Sequence, residues 1–66
     1  MANIEVTSGE YGITFILPTT TYNVGWWQIQ RDGFASWHNQ LRDKIWFTDD
    51  VSRAFTDLCI EHFSMN

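Results

Sequence analysis

The sequence predicts an α+β fold, a three-stranded antiparallel sheet packed on two C-terminal helices in the order β-β-β-α-α. Apolar and polar residues alternate with period two through much of the chain as far as Gln30. Beyond Gly33 the apolar residues recur at spacings of three and four. That change, from the period of a half-buried strand to the period of an amphipathic helix, divides the chain into a sheet half and a helical half.

Ile4 and Val6 alternate with Asn3, Glu5 and Thr7, which is the pattern of a strand with one buried face. Ser8-Gly9-Glu10 follows as a loop of hairpin length. Tyr11, Ile13 and Phe15 then alternate with Gly12 and Thr14, and Ile16-Leu17 runs on to Pro18. Proline ends this second strand because it has no N–H to give the ladder. Residues 19–25 read as a polar connection. Trp26-Trp27-Gln28-Ile29-Gln30 alternates again and reads as the third strand. Trp27 and Ile29 share its apolar face. Trp26 falls on the face with Gln28 and Gln30, so it is expected to be exposed.

Arg31-Asp32-Gly33 is a turn signal, with Asp32 placed to cap the element that follows. Phe34, Trp37, Leu41 and Ile45 form an apolar stripe on a helix from about Phe34 to Lys44. Arg42 and Lys44 fall in its last turn, where cations suit the helix dipole. Ile45-Trp46-Phe47 is a short apolar link; read as a strand, it gives the alternative order β-β-α-β-α. Thr48 opens the last helix, its hydroxyl placed to accept from a free N–H of the first turn. Asp49 and Asp50 put negative charge at the positive end. Val51, Ala54, Phe55, Leu58, Cys59, His62 and Phe63 then make a regular stripe over three turns.

At 66 residues the chain is read as one domain, residues 1–66. A domain of this size buries only roughly 60% of the surface its unfolded chain exposes, so its core needs large side chains or a partner. Aromatic residues, four of them Trp, make up 17% of the chain and supply that volume. A disulfide within the chain is excluded because Cys59 is the single cysteine. No run approaches the ~18 apolar residues of a membrane span. The segment Met1-Ala2-Asn3-Ile4-Glu5 has neither the basic nor the apolar stretch of a signal peptide. With one unpaired thiol, the expected location is a reducing cytosol.

Little in the sequence points to chemistry. Cys59 and His62 stand i, i+3 on one helix, and His38 lies on the other, so three zinc ligands are conceivable. Cys59 and His62 also belong to the apolar stripe, and a core role accounts for them with no metal. Ser36 with His38, or Cys59 with His62, lacks a motif that would build an oxyanion hole. The four glycines, at 9, 12, 25 and 33, make no phosphate-cradling loop. No cofactor and no catalytic residue are expected.

The surface is more informative. Eight acidic residues outnumber four basic ones, for a formal net charge of −4. Arg31, Arg42, Lys44 and Arg53 stand singly, without the basic patch of a nucleic-acid binder. Asp49, Arg53, Asp57 and Glu61 recur at i+4 on the outer side of the last helix, with Asp50 beside them. Such a row can be a merely solvated face or an acidic ridge that meets a basic surface. Trp26 and Trp46 have no clear inward assignment, and exposed Trp is a favoured interface anchor. The candidate partner-binding residues are therefore Asp49, Asp50, Asp57, Glu61, Trp26 and Trp46.

Trp27-Gln28-Ile29-Gln30, then Trp37-x-x-x-Leu41-x-x-Lys44-x-Trp46-x-Thr48 and the final amphipathic helix, resemble a type of small protein carried by phages, plasmids and other mobile elements. The resemblance covers residues 26–58 and does not include the N-terminal hairpin. In size and acidity the chain also looks like small phage-encoded inhibitors of bacterial defence, including anti-CRISPR proteins. That resemblance implies a cytoplasmic inhibitor that covers a nucleic-acid-binding or regulatory surface of a larger host protein. The alternative expectation is a homo-oligomeric structural or virion-associated protein whose exposed rings are buried between copies.

Overall fold

The computed structural model describes residues 3–64. Strands β1 (Glu5–Gly9), β2 (Gly12–Ile16) and β3 (Thr21–Gly25) form one sheet in the order β1-β2-β3. Both pairings are antiparallel, in register Val6↔Phe15 and Phe15↔Tyr22. Helices α1 (Trp26–Asp32), α2 (Phe34–Arg42) and α3 (Asp49–Phe63) follow. The α+β architecture is the one the sequence predicts, with a third helix added. The β-β-α-β-α order does not occur, because residues 45–47 form turns and a link.

The third strand lies earlier than the alternation at residues 26–30 placed it. Thr21–Gly25 pairs with β2, bringing Tyr22 opposite Phe15 and Val24 opposite Ile13. Residues 26–30 belong instead to α1, where Trp26 and Ile29, i and i+3, are the buried pair. This reverses the two tryptophans: Trp26 is 8% exposed and Trp27 is 62% exposed. Five residues are too few to separate a period of two from a period of 3.6, and the helix wins because it puts Trp26 into the core.

Gly33 joins α1 to α2 by itself. Its N–H donates to Ile29 O at 2.7 Å, and its carbonyl accepts from Trp37 N at 3.2 Å. Its φ of 85° is one that L side chains rarely adopt, so glycine fits this hinge. Asp32 is the last residue of α1 and does not cap α2; Gly33 takes that position. Helix α2 stops at Arg42, so Ile45 leaves the predicted stripe and is 98% exposed. Thr48 occupies the N-cap of α3 but makes no side-chain capping bond; its carbonyl accepts from Ser52 N at 2.8 Å.

One side of the sheet carries the core. Ile13, Phe15 and Val24 are fully buried there against Leu41, Phe55, Cys59 and neighbouring apolar side chains of the helical layer. Phe34 of α2 stacks on Phe55 of α3, with ring centroids 5.4 Å apart. Trp37 Nε1–H donates to Gln28 O at 3.1 Å and fixes α2 to α1. On the opposite side of the sheet Glu5, Thr7, Ile16, Thr21 and Asn23 are exposed, and Asn23 Nδ2 donates to Thr14 Oγ1 at 2.8 Å.

Gly12 begins β2 beside the β3 backbone. With φ at 145°, a Cβ here would lie 2.1 Å from Val24 O. Gly9, its partner across the hairpin, has open space where a Cβ would go. Gly12→Ala is expected to destabilise the fold by about 2 kcal/mol or more, through strain and a displaced β3. Gly9→Ala is expected to change stability by less than about 0.5 kcal/mol. Urea unfolding of the two variants measures this difference.

Candidate functional site

Helix α3 forms because its apolar positions fall on one side, and the same spacing gathers its charges on the other. Val51, Phe55 and Cys59 are buried, while Asp49, Asp50, Arg53, Asp57 and Glu61 are all exposed. At 1.5 Å rise per residue, the acidic row from Asp49 to Glu61 is about 18 Å long. Asp49 and Asp50 occupy the first turn, where their charge also suits the helix dipole. Arg53 interrupts the row and lowers its field near the middle.

The C-terminal end of this row lies at the tip of the first hairpin, and Trp26 makes the connection. Its Nε1–H donates to Gly9 O at 2.7 Å. Its ring stacks on His62 of α3, with centroids 3.7 Å apart and planes 4° from parallel. Phe63 meets the same ring edge-on at 5.5 Å. Trp26 is therefore a pin between hairpin, α1 and α3, buried except where its ring lines a cleft between β1 and α3. His62, on the predicted apolar stripe, is exposed on its other side.

The exposed ring at this end is Trp27. It lies over Gly25, where an added Cβ would sit 2.9 Å from Trp27 Nε1 and 3.5 Å from Tyr11 O. Tyr11, in the hairpin turn, is 80% exposed. The Trp27 side chain and the Tyr11 backbone thus meet at one corner around Gly25, and both side chains are exposed, where the period-two reading put Trp27 in the interior. Trp46 is half-buried and packs on Phe15 at 5.1 Å and Tyr22 at 6.0 Å, so it serves mainly the core.

Among the described residues, two clefts lie beside these groups. One, of about 200 Å³, is lined by Ile29, Gln30, Gly33, Phe34 and Phe63. The other, of about 340 Å³, runs between β1 and α3 and is lined by Ser8, Gly9, Trp26, Leu58, Glu61 and His62. The second is the more polar and holds the last carboxylate of the acidic row.

The groups with reactive side chains are dispersed. His38 Nε2 lies 2.8 Å from Ser52 Oγ, a pairing across α2 and α3 that the sequence did not disclose. Phe34 and Phe47 flank the His38 ring, each at 5.5 Å, and neither cleft is lined by His38 or Ser52. The pair ties α2 to α3. Among the described residues no three of His, Cys, Asp and Glu form a group able to hold a metal ion. None of their helices is long and apolar enough to cross a membrane. Burial pushes the Cys59 thiol from 9.0 up to about 11.

No protein-family model matches the chain, and no curated protein or solved structure shows significant similarity to it. The geometry of the site therefore carries the functional reading.

Two variants separate the adjacent tryptophans. Trp26→Phe leaves Gly9 O without its donor and is expected to cost about 1–2 kcal/mol of stability. Trp27→Phe is expected to cost less than about 0.5 kcal/mol. Chemical denaturation followed by circular dichroism checks both. Cys59 gives a pH test. Its folded-state pKa is raised, so its contribution is fully present below pH 9 and is lost as pH climbs towards 11. Over that interval the parent is expected to lose about 2–3 kcal/mol more stability than Cys59→Ala, as read from urea midpoints.

Proposed function

We propose that this protein is a small acidic inhibitor or modulator that binds a larger protein and occludes a basic surface on it. The observation that carries this reading is the joint exposure of Asp49, Asp50, Asp57 and Glu61 along one side of α3. Charged rows of this kind steer association with a surface of opposite sign and fix its orientation. The aromatic corner of Trp27 and Tyr11, at the Glu61 end, supplies apolar area that charge alone lacks. Trp27 takes the anchoring role that the sequence gave to Trp26. Trp46 contributes through its open edge at most. The likeness in size and acidity to phage-encoded inhibitors of bacterial defence supplies the class of target, a host defence complex with a basic nucleic-acid-binding surface.

A homo-oligomeric structural role is the second reading. Ile45, 98% exposed on the link between α2 and α3, favours it, because self-association would cover that side chain.

In affinity capture from host extract, the parent protein is expected to retain a partner at low salt and release it as salt rises. The double variant Asp57→Lys/Glu61→Lys is expected to retain at least roughly tenfold less of that partner. Equal retention by parent and variant rules out the electrostatic reading. Light scattering on the purified protein tests the second reading, which requires an assembly larger than one chain.

A further inference from the structure

Among the described residues, strand β1 is hydrogen-bonded to β2 on one side and to no strand on the other. Its outer edge therefore presents a row of backbone N–H and C=O groups able to accept another strand. Natural sheets commonly block such edges with proline or lysine. Glu5–Gly9 contains neither. Helix α3 packs beneath this edge, but at its hairpin end, around Ser8 and Gly9, it leaves an opening. Ser8 pairs with Ile13, which in turn pairs with Val24, so all three face the core side of the sheet. Ile13 and Val24 are fully buried, yet Ser8 is exposed. The space left open there is the 340 Å³ cleft, with the Trp26 ring beside Gly9 on one side and Leu58, Glu61 and His62 of α3 on the other.

We propose that this edge and cleft together take an extended, lysine- or arginine-bearing segment of the partner, which adds to the sheet as a fourth strand next to β1. The inference rests on the acidic-face reading and names the form of the partner. Main-chain hydrogen bonds to β1 provide affinity that is indifferent to sequence. Every second side chain of the added strand points into the cleft. There an apolar side chain meets Leu58 and the Trp26 ring, and a cationic one meets the Glu61 carboxylate. Glu5, exposed on the strand itself, adds charge of the same sign. The occupant is a basic segment and not a second copy of this chain. Two copies, each with a formal net charge of −4, repel one another, whereas a basic segment is attracted. The edge of β3 is the poorer candidate, because β3 runs directly into α1 and neither cleft is lined by its residues 21–24.

The probe is a fluorescein-labelled, end-capped nine-residue peptide, Lys-Lys-Val-Val-Lys-Lys-Val-Val-Lys, in which each face of the strand carries both kinds of side chain, and its analogue methylated on every backbone amide nitrogen. The two carry the same charge, but the analogue cannot donate from those amides. The expected result is salt-sensitive binding of the parent peptide, at least tenfold weaker binding of the analogue, and new hydrogen-exchange protection of β1 amides. Glu61→Gln, at an exposed position, is expected to weaken the parent peptide several-fold. Equal binding of the two peptides, with Glu61→Gln weakening both, overturns strand addition and leaves the acidic-face reading standing. No salt-sensitive binding of either peptide overturns both. Protection of β1 amides that rises with protein concentration and without peptide assigns the edge to a second copy and overturns the proposal.

Discussion

Phe15 stands on the middle strand, fully buried, and other rings converge on it from three directions. Trp46 and Phe47 approach from the link before α3, Phe55 from α3 itself, and Tyr22 from the neighbouring strand, all with centroids between 5.1 and 6.3 Å. Aromatic rings fill volume with little loss of side-chain freedom, which is how so short a chain assembles a core without a disulfide. The placement of the helical layer follows from this cluster. The link must pass over β2 and β3 to deliver Trp46 and Phe47, and α3 must then return across the sheet towards β1.

Because the cluster occupies the middle of the sheet, the margin near β1 depends on a different contact. There Trp26 holds Gly9 through its N–H and His62 through its face. One side chain closes the hairpin tip onto the end of α3, and the same closure positions Glu61 and the cleft. The candidate site is thus a product of core packing: its charges are free because the opposite side of α3 is engaged, and its aromatic corner is free because the neighbouring indole is not.

The sequence disclosed those parts whose signal is local and long. Helix α3 was legible because its apolar stripe persists over three turns, and its acidic row was legible for the same reason. The first hairpin was legible from alternation on both sides of a glycine. The third strand was misplaced because Thr21-Tyr22-Asn23-Val24-Gly25 has only two apolar side chains, while the adjacent double tryptophan imitates a strand. Burial of Trp26 depends on a carbonyl seventeen residues away at Gly9, and no periodicity registers such a partner. The His38–Ser52 contact joins residues fourteen apart on two helices and is hidden for the same reason. Trp27 was placed on an apolar face, and Tyr11 in a strand, because both were counted within strands. One lies on the outer side of α1, and the other sits in a turn.

All strand pairings in this sheet join neighbours in the chain, with no crossover. Each hairpin can therefore zip from its own short loop, on a timescale of roughly microseconds. Docking of the helical layer is what requires distant parts of the chain to find each other, as when Trp46, Phe47 and Phe55 reach Phe15. The larger loop-closure entropy of folding therefore falls on the docking of the helices, not on the zipping of the sheet.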